Sequence, residues 1–133
     1  MIVEEGTHTS DVGGGLHLMG EWHGCQAPLR LFADVDEVRH ACIDAATAAN
    51  LTVVGDRFHV LPDQGVTGMV LLAESHLAIR TWPQAAKVAL DVFVCNHRDD
   101  NRDKARILFA GLHQLYRPTR EELFQVRRGG AMA

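Results

Sequence analysis

Four apolar segments follow one another between residues 51 and 95 with no helical pattern between them, and this spacing restricts the folds open to the chain. Residues 51–61, 67–73, 76–82 and 87–95 are rich in Val, Leu, Ile and aromatic side chains, which suit a pleated surface. Gly55-Asp56 marks a turn or bulge inside the first segment, and Pro62-Asp63-Gln64-Gly65 is turn chemistry leading to the second. Strands in succession, without helices alternating between them, indicate an antiparallel sheet with helices packed on one face.

The flanking sequence supplies the remaining elements. Over residues 16–22, His17, Met19 and Glu21 alternate with Leu16, Leu18, Gly20 and Trp22, the period of a strand with one apolar face. A first helix is expected from the N-cap Asp34 to a stop at Asn50. Val35, Val38, Cys42, Ala45 and Ala49 form its stripe. A second helix follows the polar loop at 96–100; Ala105, Leu108, Phe109, Leu112 and Tyr116 give it an apolar face, and Pro118 ends it. Residues 123–127 read as a last strand. Residues 1–13 run into Gly13-Gly14-Gly15 as a flexible lead-in, and residues 129 onward as a loose tail. The expected fold is therefore α+β, a two-layer sandwich of an antiparallel sheet with two helices on one face. It forms a single domain over residues 14–128. Two helices leave the other sheet face uncovered, and a second copy of the chain is the expected cover.

Bulk properties remove several classes of function. Net charge is −4 over 133 residues, which gives no basic footprint for nucleic acid. No apolar run approaches the roughly 20 residues of a membrane helix, and the acidic N-terminus does not read as a secretory signal. Cys25, Cys42 and Cys95 are widely and unequally spaced, without a C-x-x-C pair, so neither a zinc knuckle nor a redox pair is expected. Free thiols in a reduced, cytoplasmic setting are the simplest account. The eight histidines are scattered, and none forms an H-x-x-x-H pair, so no metal site is expected. The triple glycine lacks the lysine and helix start of a phosphate loop.

The stretch from Gly65-Val66-Thr67-Gly68 to Ala73-Glu74-Ser75-His76 is the unusual part of the chain. An apolar strand runs directly into Glu-Ser-His, and another apolar strand follows. Polar residues so placed carry a desolvation cost unless they are paired or used. A tight hairpin corner is one reading. A reactive serine is the other, although Ser-His adjacency does not by itself make a triad, which is defined by geometry.

Gly65-Val66-Thr67-Gly68, Ala73-Glu74-Ser75-His76, Thr81-Trp82-Pro83 and Asp91-Val92-Phe93-Val94-Cys95 together resemble the bacterial and archaeal S-adenosylmethionine decarboxylase proenzymes. Residues 16–25 resemble that family's first strand, and the likeness covers roughly residues 14–117 in one order. The resemblance implies self-cleavage between Glu74 and Ser75 by serinolysis. The Ser75 hydroxyl attacks the Glu74 carbonyl to give an ester, β-elimination releases Glu74 as a new C-terminus, and loss of ammonia leaves a covalent pyruvoyl group at position 75. That group would capture a small-molecule substrate amine as a Schiff base and act as the electron sink of a decarboxylation in polyamine biosynthesis. The resemblance assigns proton return to Cys95 and assistance in processing to Thr67. It also implies a homodimer of αββα arrangement, with helices outside two facing sheets.

Three positions depart from the family pattern. Arg80 stands where the family has a histidine that assists elimination; a guanidinium cannot shuttle a proton near neutral pH but can act as a fixed donor to an oxyanion. His76 is an alternative base. Leu61 replaces an aromatic residue that stacks with Trp82 on the adenine, and Gln84 replaces a glutamate that binds the ribose hydroxyls. Losing a stack and a charged acceptor costs about 0.5–1.5 and 1–2 kcal/mol respectively. These changes keep two alternatives open. One is the same chemistry on ornithine or arginine; the other is a non-processing homologue that regulates or binds.

Overall fold

The computed structural model describes residues 2–5, 14–96 and 100–129. Its elements run β1 (Ile2–Glu5), β2 (Gly14–His23), α1 (Arg30–Ala33), α2 (Val35–Ala48), β3 (Val53–Val60), β4 (Val66–Leu72), β5 (Ser75–Trp82), a 3-10 turn (Pro83–Ala85), β6 (Lys87–Cys95), α3 (Arg102–Tyr116) and β7 (Arg120–Gly129). The strands form one sheet in the order β1-β7-β2-β6-β5-β4-β3. Pairing from β7 through to β3 is antiparallel, and β1 adds to β7 in parallel at the edge.

The α+β sandwich expected from the strand run is the architecture found, with three differences among its strands. Part of the expected lead-in, Ile2–Glu5, is an edge strand, while residues 1 and 6–13 lie outside the described residues. Gly14 and Gly15 belong to β2 and not to a linker, paired with Gly129 and with Arg128 and Cys95. A Cβ at Gly15 would lie 2.5 Å from the Val94 carbonyl oxygen and 2.9 Å from the Phe93 ring, so the absent side chain makes room for that aromatic. The last strand extends beyond residues 123–127 to Arg120 and Gly129. Its charged ends are held by the long ladder to β2, not by burial.

Both expected helices are present. Asp34 caps α2 by accepting from the N–H groups of Asp36 and Glu37. Asn50 takes a φ of 64° just past its end, the left-handed stop an asparagine tolerates. The buried stripe of α2 is Val38, Cys42, Ala46 and Ala49. Ala46 thus takes the buried place expected of Ala45, and Val35 and Ala45 pack at the margin. In α3, Ala105, Leu108, Phe109, Leu112 and Tyr116 are buried as expected. Burial pushes the thiols of Cys25 and Cys42 up to about 11 and about 12, which suits them to packing rather than reaction. These helices cover the face bearing Leu16, Leu18, Trp22, Leu77, Ile79, Val88, Leu90, Val92 and Val94. Phe93, His76, Met69, Leu71 and Thr67 alternate with those positions and occupy the opposite, open face, where Met69 and Leu71 are exposed. No helix among the described residues is long and apolar enough to cross a membrane.

Candidate active site

Leu72 and Ser75 are paired at the β4–β5 hairpin, so Ala73 and Glu74 are its two loop residues. Two-residue hairpin loops favour turns with a positive φ at a loop residue. Neither Ala73 nor Glu74 has one; the positive φ, 150°, falls on Ser75. The tight-hairpin reading of this corner is the one the structure describes, and Ser75 stands at its exit. The Glu74–Ser75 bond joins the loop to a residue in a backbone region that L-residues rarely adopt.

Four groups around that bond have partners. Ala73 N–H donates to the Thr52 carbonyl at 2.8 Å. The Glu74 carboxylate accepts from Thr52 N–H at 3.1 Å and Thr52 Oγ1 at 3.2 Å. The Glu74 carbonyl oxygen accepts from the Cys95 N–H at 2.8 Å. Ser75 Oγ lies 3.1 Å from His76 Nδ1. A hydroxyl beside an imidazole, next to a carbonyl polarised by a main-chain N–H, is the arrangement that intramolecular acyl transfer requires. The sequence pointed to Cys95 for its thiol; its N–H and the anchor at Thr52 were not foreseen, because a main-chain donor has no side-chain signature.

His76, Phe93 and His17 form a row across the open face on β5, β6 and β2, with ring centroids 6.0 and 5.8 Å apart. The Arg128 guanidinium lies 4.3 Å over Phe93, and its Nη1 is 3.5 Å from His17 Nδ1. Burial lowers the His17 pKa, Asp91 opposes this, and Arg128 and His76 lower it further. His17 Nε2 is buried without a hydrogen-bond partner.

The other expected site residues gather at the opposite end of β5. Thr67 is registered against Arg80, five residues from Ser75, or about 16 Å at a strand's rise of roughly 3.3 Å per residue. Arg80 bonds Asp63 at 2.8 and 3.3 Å and the Thr81 carbonyl at 2.9 Å. The Arg80 bonds, followed by the Gly65 N–H, hold the Asp63 carboxyl below its usual range. Arg80 and Lys87 lie 4.5 and 4.8 Å from the Trp82 ring. Gln84 Nε2 donates to the Asp63 carbonyl at 3.0 Å, and Leu61 closes the same turn by donating its N–H to Gly65 at 2.8 Å. Thr67, Arg80, Trp82, Gln84 and Leu61 thus come together, but Arg80 and Thr67 do not reach Ser75 within one chain. A depression of about 400 Å³ beside them is lined by Arg57, His59, Ala78, Ala89 and Asp91, among others.

The glycines of Gly65-Val66-Thr67-Gly68 have a packing cause. A Cβ at Gly65 would lie 2.3 Å from the Thr81 carbonyl and 2.5 Å from the Arg80 guanidinium; one at Gly68 would lie 2.0 Å from the Phe58 ring. Glu21, His23 and Glu122 bring three possible ligand atoms within 4.8 Å of one another. His23 Nε2 lies 3.4 Å from Glu122, and Glu21 pairs with Lys87 at 3.6 Å.

The sequence model of the S-adenosylmethionine decarboxylase family matches residues 16–129. Curated relatives named S-adenosylmethionine decarboxylase proenzyme include those of Thermodesulfovibrio yellowstonii, 40% identical over 61% of this chain and 58% of its own length, and Moorella thermoacetica, 37% identical over 71% of this chain and 74% of its own. The matched region therefore spans 58% and 74% of the lengths of these two relatives. The crystal structure of the adenosylmethionine decarboxylase from Aquifex aeolicus superposes with a TM-score of 0.76 at 25% identity, covering 92% of this chain and 94% of that one. With a matched family model spanning almost all of the described sheet and helices, the chain belongs to the S-adenosylmethionine decarboxylase family.

Proposed function

We propose that the chain cuts itself between Glu74 and Ser75 and decarboxylates S-adenosylmethionine with the pyruvoyl group formed at position 75, in the synthesis of polyamines. The observation that carries this reading is the Glu74 carbonyl, bonded to the Cys95 N–H beside the Ser75 hydroxyl and the His76 imidazole. The donor set fits the group, since a serine oxygen is what must both attack and then leave. Ser75 Oγ gives its proton to His76 and bonds to the Glu74 carbonyl carbon, and charge developing on the carbonyl oxygen meets the Cys95 N–H. The C–N bond breaks, the nitrogen of residue 75 takes the proton, and an ester remains. Removal of the residue 75 α-proton expels the Glu74 carboxylate. Water then replaces the nitrogen, which departs as ammonia, and leaves a ketone.

Once formed, the pyruvoyl group supplies an electron sink for the pair released with carbon dioxide. Cys95 borders residue 75 across the β5–β6 ladder and is half-buried; its thiol is the proton donor to the substrate carbon in this reading. Trp82 and Gln84 face the nucleoside, with Leu61 at the rim. The relatives support S-adenosylmethionine, and none of them supports ornithine or arginine. A homodimer completes the reading. Its two open faces meet, so that Thr67, Arg80 and Trp82 of one copy serve the Ser75 of the other.

Intact-mass analysis tests the cut. The wild-type chain is expected to resolve into residues 1–74 and a 75–133 fragment with a blocked, ketone-bearing N-terminus. Ser75→Ala is expected to stay whole, and a wild-type chain that remains uncut after long incubation would sink the proposal.

A further inference from the structure

Asn101 occupies the N-cap of α3 and is only 4% exposed. An asparagine at that place ordinarily accepts a bond from the first-turn N–H groups. Its side chain makes no such bond. Nδ2 donates instead to the Cys95 carbonyl at 2.8 Å. Asp100 takes over part of the capping, accepting from the Arg102 N–H at 3.1 Å. The Asn101 N–H donates to Asn96 Oδ1 at 2.8 Å, and the Asn96 N–H donates to the Gly14 carbonyl at 2.7 Å, which ties this corner to β2.

Cys95 is the last residue of β6, where a strand end would be free to fray. Here both its main-chain groups are fixed, the carbonyl by Asn101 and the N–H by the Glu74 carbonyl at 2.8 Å. Planar peptides leave only φ and ψ between the two groups, so holding one restricts the aim of the other. A buried amide that gives up its helix cap to grip the residue facing the scissile carbonyl has a use beyond α3.

We infer that Asn101 is a positioning residue for self-processing, holding the Cys95 main chain so that its N–H stays aimed at the Glu74 carbonyl oxygen. The inference rests on the reading of Glu74-Ser75 as the cut site. Asn101 exchanges no proton and forms no bond to the reacting atoms. As the Oγ–C bond forms, the carbonyl electron pair moves onto oxygen, and Asn101 keeps the donor in line with that charge.

The test follows freshly synthesised full-length chain by intact mass, with and without hydroxylamine, which cleaves any ester already formed. Asn101→Ala is expected to slow cutting by about tenfold, short of the roughly hundredfold cost of losing an oxyanion donor outright. Hydroxylamine should hasten the wild type and leave Asn101→Ala slow, because its ester forms slowly. Asn101→Ala cutting at the wild-type rate would overturn the inference, and so would a variant that hydroxylamine restores. If the single variant folds poorly, amide exchange in the uncut Ser75→Ala background decides. There, adding Asn101→Asp, which keeps a good N-cap, should strip protection from the Cys95 N–H while α3 stays protected; unchanged Cys95 protection would overturn it. A wild-type chain that never cuts defeats the cut-site reading instead, and the exchange experiment still reports whether Asn101 holds Cys95.

Discussion

At Ser75 the backbone stands at a φ of 150°, and holding a non-glycine residue in such a region costs about 1–3 kcal/mol. The Thr52 anchor on Glu74 and the β5–β6 ladder keep it there. In the proposed self-cleavage, breaking the Glu74–Ser75 bond would free the nitrogen that defines this angle, so the strain would favour the cut. His17 shows a second consequence of the crowded open face. Its Nδ1 lies 3.5 Å from Arg128, and its Nε2 is buried without a hydrogen-bond partner. Burial lowers the His17 pKa below its ordinary 6.5, with Asp91 on β6 opposing and Arg128 on β7 and His76 on β5 adding to it. Below 6.5 the unfolded chain binds the proton that the folded one resists, so this contribution is whole above pH 6.5 and declines as pH falls through the folded value. Urea midpoints for His17→Phe and wild type from pH 8 to 5 should therefore diverge in the variant's favour only on the acid side, and a constant gap would contradict it. The residue scale also shows where reading the sequence stopped. Ser75, His76 and Cys95 stood out in the sequence by their side chains, and the structure brings them to one corner; the Cys95 N–H, a main-chain donor, and the partners Thr52 and Asn101, whose bonds to Glu74 and Cys95 follow no motif, had no such signature.

Between elements, one threonine does more than its place in Thr81-Trp82-Pro83 reveals. Thr81 is fully buried in β5; its Oγ1 donates to the Phe32 carbonyl of α1 at 2.6 Å and accepts from the Val66 N–H of β4 at 2.9 Å. It joins two strands to the short helix and fixes the start of β4, from which Thr67 and the Asp63–Arg80 turn take their places. Thr81→Val keeps the shape and orphans both partners, at about 1–3 kcal/mol for each buried group left unmade. Chemical denaturation should register a loss of roughly 2–4 kcal/mol on that basis, and a loss below about 0.5 kcal/mol, the range of an ordinary surface change, would show that water replaces the hydroxyl. The central strands and both long helices were legible because burial writes its period into β2, β4 to β6 and the stripe of α3. β1, α1 and the charged ends of β7 were not. Their pairing partners lie far along the chain, and backbone ladders form under polar side chains as well as apolar ones.

On the scale of the whole molecule, the separation along β5 is decisive. Ser75, the proposed cut site, sits at one end of the strand and Thr67, Arg80 and Trp82 at the other, about 16 Å away at a strand's rise. No hinge in a continuous seven-stranded sheet closes that gap. The open face between the two ends carries Met69 and Leu71, 39% and 46% exposed, beside a depression that Ala78 and Ala89 help to line. A two-fold axis through this face would set the far end of each copy over the cut site of the other, since such an interface uses one patch twice. The proposed pairing makes a prediction that separate defects can test. Ser75→Ala removes the proposed nucleophile, and Trp82→Ala removes the proposed nucleoside platform from the opposite end. If each site takes residue 75 from one copy and Trp82 from the other, a mixed dimer carries one site with both defects and one site with neither. Coexpressed tagged chains purified as the mixed pair should then recover about half of wild-type decarboxylation per dimer, where either variant alone has little. Activity no greater than the mean of the two parents would mean that each site is built within a single chain. A chain that sediments as a monomer while fully active would say the same, and Arg80, held by Asp63 far from Ser75, would then have no part in the cut.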